Sequence, residues 1–371
     1  MKSRAIQICF VLIVASAAVG AFTPGPKGGG RSQKVERTIA ADPSVTVSIC
    51  VMAGSISVHG WDKNEVSAQS SDAAQIELRQ QKVDAQSGKA MKVEVFVVDK
   101  SDEERIKSNC QASSELELFV PRTASVHVQT RDGDISIADI AVVVAGTQNG
   151  DISIENISHA VEVGSVGGSI SIKDAAGRAS LTTIGGGIEV VNLRPSASGD
   201  VFEAVSVSGD LNLVGVSHSR FSARTVTGDV YLTGPLAAGG RYGFKTMSGD
   251  ITLTLPYDSS FNLSAKVSKD GEIISDFPLT LIPDAIPPSA LVPPTPAERS
   301  VPPKSPAPPL APAPEAAPII VKVAPRMSKV IVSAPITVST HTLRRVNAKC
   351  GAGDASIQVA SFNGTLHLVR K

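Results

Sequence analysis

A chain of 371 residues, 42% hydrophobic and with 35 basic against 35 acidic side chains, holds enough apolar material for a sizeable core and carries no charge excess that would attract nucleic acid. Aromatic residues make up only 4%, and Trp61 is the sole tryptophan, which leaves little for stacking against bases or sugar rings.

Residues 1–21 read as a signal peptide. Lys2 and Arg4 precede an apolar run from Ala5 to Val19, and small residues lead to Ala21 before Phe22. The run is too short to be preferred as a membrane-spanning helix, and Cys9 inside it lacks the small-residue context of a lipid attachment. The expectation is cleavage after Ala21 and export to the periplasm, cell surface or medium, with no later transmembrane segment. Loss of Lys2 and Arg4 takes the formal charge from 0 to about −2. Residues 22–44 begin rich in glycine and proline and are predicted to form a flexible leader. Order is expected from Val45, where Val45, Val47 and Ile49 alternate with polar residues.

From there one phrase returns. Gly54 opens Gly-Ser-Ile-Ser-Val, and Gly133 and Gly150 each open Gly-Asp-Ile-Ser-Ile. Variants follow at Gly168, Gly187, Gly209, Gly228 and Gly249, with the glycines from Gly133 onward 17, 18, 19, 22, 19 and 21 residues apart. A glycine turn followed by strict alternation describes a short strand with one buried face, and repetition at such a period marks stacked units that cannot bury their apolar side alone. Alternation places Ile135 and Ile137 on one face and Ser136 on the other. The predicted architecture is therefore all-β: a β-solenoid, parallel β-helix-like, with coils of about 20 residues. Seven or eight coils would make a rod roughly 35 to 40 Å long.

Such a rod needs a terminal cap. Strands over 76–81, 92–98 and 115–120 are expected to supply an N-terminal β cap, with 99–107 as a charged loop and Trp61 plugging the first coil. Residues 45–282 are thus read as the capped solenoid. Between Pro283 and Pro318 there are 14 prolines, a composition that favours an extended, solvated linker or insertion over a core. Strands resume over 319–323, 329–332 and 336–340, and two further phrases at Gly353 and Gly364 complete the solenoid within 319–371.

Two stretches carry a family resemblance. Gly54-Ser-Ile-Ser-Val-His-Gly-Trp-Asp-Lys-Asn-Glu-Val66 resembles the opening motif of the bacterial "putative adhesin" family of exported short β-strand-repeat domains. Gly271-Glu-Ile-Ile-Ser-Asp-Phe-Pro278, completed by segments starting at Gly351 and Asn363, resembles its closing motif. The resemblance spans about Val45 to Lys371 apart from 283–346; it implies an envelope-associated role and brings no catalytic residues to carry over. In that family the two closing halves lie close together.

No metalloprotease, phosphate-loop, Cys-x-x-Cys or nucleophile-elbow signature is present in the sequence. His59, His127, His159, His218, His341 and His367 are scattered singly, and Gly185 to Gly187 reads as a tight corner. Asp134, Asp151, Asp210, Asp229 and Asp250 recur at one corner, where an Asx turn would cap the backbone; a column of carboxylates also raises calcium, but the nonapeptide of calcium-binding rolls is absent. No cofactor is expected. After export Cys50, Cys110 and Cys350 remain, and an oxidising compartment allows one bridge. Cys50 with Cys110, both in the cap region, is the candidate pair; the alternative is three buried small apolar residues.

The leading expectation is a non-enzymatic exported scaffold or adhesin-like interaction module of the cell envelope, with an envelope protein or a glycan as partner. The alternative is a carbohydrate-active β-helix, a polysaccharide lyase or hydrolase, which would need two carboxylates flanking one bond.

Overall fold

The computed structural model describes residues 34–71, 73–99, 112–268, 271–282 and 344–371. They are all-β, and their strands build two long, mostly parallel ladders in a solenoid-like repeat. The expected strands over 319–340 and the proline-rich segment lie outside the described residues.

The chain alternates between the ladders, so each strand pairs with the strand two before it. In ladder A, Ile135–Ala138 pairs in parallel with Ile152–Glu155, which pairs with Ile170–Ala176. The ladder continues through Ile188–Arg194, Leu211–Val214, Val230–Thr233 and Ile251–Leu255. Ladder B runs in step through Ser125–Asp132, Val142–Thr147, Ala160–Ser165, Arg178–Thr182, Val201–Val205, Arg220–Arg224 and Arg241–Thr246. Register is fixed by the alternation: Ile152 sits between Ile135 and Ile170, and a slip of one residue would turn every isoleucine outward. Ile135, Ile137, Ile152, Ile154, Ile170 and Ile172 are all buried, and each such side chain removed from water contributes about 1.5–3 kcal/mol. Toward the far end the core becomes aromatic, with Phe202 stacked on Phe221 at 4.8 Å and Phe221 against Phe244 at 5.2 Å.

Both ends are built out of chain order. The strand Val35–Ala53 belongs to both ladders: its first part pairs antiparallel with Glu65–Ser70 in ladder A, and Thr46 to Ala53 pair in parallel with Ser125–Asp132 in ladder B. It begins ten residues ahead of Val45, within the stretch read as a leader. Alternation is weak there because 35–40 lines an edge and is largely exposed, which hides it from a periodicity argument. On its other side Val35–Ala53 pairs with Ala90–Asp99, and Leu116–Pro121 lies outside Ile56–Trp61. The layer holding residues 46–61 is therefore covered by 90–99 and 116–121 on one side and followed by 125–138 on the other. Ala73–Val83 closes ladder B as an antiparallel edge strand.

The opposite end mirrors this. Ala355–Ser361 lies between Arg241–Thr246 and Phe261–Val267, parallel to both, and Leu366–Arg370 lies between Ile251–Leu255 and Ile273–Ser275. The last layer in sequence thus occupies the penultimate slot, and the excursion after Ile282 returns through Arg344–Cys350, antiparallel to Phe261–Val267.

Candidate functional site

Three columns of special residues run along the ladders at the corner leading into ladder A, and they decide what its surface can present. The first is glycine. At Gly150 an added Cβ would lie 2.2 Å from the Gly133 carbonyl oxygen, and the same clash repeats at Gly168, Gly186, Gly209, Gly228, Gly249 and Gly364. Each glycine Cα therefore sits directly on the carbonyl of the layer before, a Cα–H···O approach that excludes every side chain. The register assigns this position to Gly186 rather than Gly187, because Ile188 pairs with Ile170 and so aligns Gly187 with Ser169.

The second column consists of the corner aspartates. The bonds they accept from backbone come from the next layer: the Asp151 amide donates to Asp134 Oδ1, the Ser169 amide to Asp151, the Asp229 amide to Asp210 and the Asp250 amide to Asp229, each at 2.8 Å. Amide donation to a carboxylate is a charge-assisted bond, so the column staples successive layers. The Tyr231 hydroxyl donates to Asp229 Oδ2 at 2.9 Å, and that bond pushes the phenol above its ordinary pKa. Among the described residues no three His, Cys, Asp or Glu side chains converge as a metal set would.

The third column lies inside, and sequence reasoning missed it. Thr147, Ser165, Thr183, Ser206, Thr225, Thr246 and Ser361 are buried polar residues, and each hydroxyl donates to a corner-glycine carbonyl, at 3.0 Å for Thr183 to Gly168 and 3.1 Å for Thr225 to Gly209. Every one stands three positions before a corner glycine, a fixed offset that the sequence displays. A further missed column stands four positions after the first buried residue of each ladder A phrase. Asp139, Asn156, Asp174 and Asn192 all have φ between 52° and 61°, the left-handed conformation that Asn and Asp tolerate best among side-chain-bearing residues. Gly215 and Gly234 take over in the next layers, and the Asn192 amide donates to Asp174 Oδ1 at 3.0 Å.

With corners and core so constrained, variation is left to the outward positions. On ladder A these begin as a row of serines, Ser57, Ser136, Ser153 and Ser171, paired layer to layer along a shallow trough. At the near end, Trp61 is not a core plug. It is half-buried on the outer side, stacked on Phe119 at 5.4 Å with its indole N–H donating to the Glu65 carbonyl at 2.9 Å. The reason is parity: Ile56 and Val58 already point inward, so His59 and Trp61 fall outside alternation at the strand's end. A second exposed stripe runs beside the hydroxyl column, where Val166, Ile184, Val226 and Phe362 stand 38% to 47% exposed.

The histidines do not cluster. His127 and His159 are exposed, and His59 and His367 are half-buried. His218 is fully buried; its Nε2–H donates to the Gly177 carbonyl at 2.8 Å, Nδ1 has no partner, and burial lowers its pKa. His341 lies outside the described residues. Cys50 is disulfide-bonded, its expected partner Cys110 lies outside the described residues, and Cys350 is a buried free thiol whose pKa burial pushes up. No described helix is long and apolar enough to cross a membrane.

These features define a β-repeat protein that presents rows of outward side chains along its two ladders. The chain belongs to the Toastrack DUF4097 family, whose model matches residues 39–280. No curated protein matches it. A crystal structure described as a "putative cell adhesion protein" from Clostridium sporogenes aligns over 91% of this chain and 99% of its own, at 10% identity and a TM-score of 0.22.

Proposed function

We propose that this protein is a non-enzymatic, exported scaffold or adhesin-like interaction module of the cell envelope, winding in coils of about 20 residues and binding an envelope protein or glycan through the outward faces of its ladders. The observation that carries this reading is the in-register stacking of short polar side chains, such as Ser57, Ser136, Ser153 and Ser171, over successive layers. Identical groups repeated at about 4.8 Å offer a regular, rigid surface to an extended partner. Glycine packing and amide-capped carboxylates hold that surface in register, which limits the entropy lost when a partner is ordered on it. The test is capture from envelope fractions on the immobilised protein, with fractionation and external protease in parallel. Recovery of a saturable protein or glycan partner and an envelope location are expected; recovery of neither overturns the reading.

A further inference from the structure

Formal neutrality hides a segregation of charge. Across ladder B the outward residues of Ser125–Asp132 to Val201–Val205 include Glu162, Glu203, Arg178, Val142 and Val144. Beyond Val201–Val205 the same face changes character. Five neighbouring strands, Arg220–Arg224, Arg241–Thr246, Ala355–Ser361, Phe261–Val267 and Arg344–Cys350, contain no carboxylate.

Register places their outward cations in two rows along the rod. Arg220, Arg241 and Lys349 stand in one, Arg224, Lys245, Lys266 and Arg345 in the other. Between the rows lie Ser222, Gly243, Gln358, Ser264 and Asn347. The rows are four residues apart on each strand, about 13 Å, and five strands span roughly 19 Å. The result is a trough with a floor of hydroxyls, amides and one bare glycine, walled by guanidinium and ammonium groups. Among the described residues the only ion pair these cations make is Arg224 with Glu203, at 3.9 Å. Asp200, Asp258 and Asp354 stand at the rim ahead of their strands, and Asp200 is bonded to its own turn at Ser196 and Ala197.

We infer that this trough binds a linear acidic polysaccharide lying along the rod axis. The charge is complementary, and Arg forks match carboxylates in a way point charges do not. The floor suits sugar hydroxyls, and a flat ladder suits a stiff extended polymer. Single-stranded nucleic acid fits less well because the aromatic rings of these strands, Tyr242, Phe244 and Phe261, all point into the core, leaving no stacking platform. An anionic bilayer fits less well because the five strands themselves present no exposed large apolar side chain, Val201 beside Arg220 and Ile282 beside Asn347 standing singly at opposite borders.

This inference deepens the interaction-module reading and rests on it for its setting. The test measures binding of polygalacturonate to the purified protein, with dextran, an oligodeoxythymidylate and phosphatidylglycerol vesicles alongside. Expected are salt-dependent binding of polygalacturonate, none of dextran, and a loss of tenfold or more when Arg220→Ser, Arg241→Ser and Lys245→Ser are combined. The charge-matched control Arg37→Ser, Lys92→Ser and Lys173→Ser, distributed elsewhere, should keep affinity within about threefold. All six sites are on outer faces, and unchanged melting temperatures verify folding of both triples. Absence of polygalacturonate binding, equal loss in both triples, or tighter binding of the oligonucleotide or vesicles overturns the trough. Envelope partners captured equally by wild type and trough triple overturn it while leaving the interaction module standing. If wild type captures no envelope partner, that reading falls, and the polygalacturonate comparison still decides the trough.

Discussion

The carboxylate of Asp250 accepts a hydrogen bond at 2.7 Å from the amide of Thr365, 115 residues later in the chain. The same staple that joins adjacent repeats elsewhere thus fastens the returning C-terminal layer to the body of the ladder. Asp250→Ala should destabilise by about 1–2 kcal/mol, read as a lower denaturant midpoint. Asp250→Asn, which keeps an acceptor, should recover most of it, and a loss equal to alanine's would remove the acceptor from the explanation. Calcium added to the wild-type protein should leave the melting temperature unchanged.

The glycine column predicts a sharp contrast between two identical substitutions. Gly150→Ala forces a methyl to within 2.2 Å of the Gly133 carbonyl and should cost roughly 3 kcal/mol or more, because backbone on both sides must move. Gly243→Ala meets nothing nearer than the Phe221 oxygen at 3.7 Å and should be neutral or slightly stabilising. Equal midpoints for the two variants would contradict the close-packed column.

Buried hydroxyls give a second paired test. Thr225→Val removes the donor to the Gly209 carbonyl and should cost about 1–2 kcal/mol. Thr130 stands at the same offset before Gly133, yet its hydroxyl has no partner among the described residues, so Thr130→Val should be neutral or stabilising in the same denaturation assay.

Stability should also depend on pH through His218. Its folded pKa is depressed below the ordinary 6.5 by burial, so in the window beneath 6.5 the unfolded chain binds a proton that the folded one refuses. Stability from this site is complete above about pH 6.5 and declines as pH falls toward the folded pKa. His218→Gln keeps a donor for Gly177 and should flatten the difference in melting temperature between pH 7.5 and 5.5 relative to wild type. An unchanged slope would place the titration elsewhere.

Ladder A was largely legible in the sequence, since Gly-Asp-Ile phrases state both the corner and the alternation of a half-buried strand. Gly186 was misplaced by one because three glycines in a row offer no local way to choose among them. The hydroxyl column and the left-handed Asp139, Asn156, Asp174 and Asn192 stand at fixed offsets that the sequence shows but composition conceals. Trp61 was read by size where parity governs. The cation rows were invisible because Lys266 and Arg345 become neighbours only through pairing between distant strands, and the same nonlocality hid the interleaved ends.

The slot between Arg241–Thr246 and Phe261–Val267 is filled by residues made about a hundred positions later. During synthesis, which proceeds from the N-terminus, the preceding layers wait with an apolar gap at their heart until residues 355–370 arrive to act as keystone. Completion is thereby tied to the arrival of residues 355–370, a closure of long sequence separation of the kind that slows folding. Duplication of repeats could lengthen such a rod only in its interior, never by appending units to its tail.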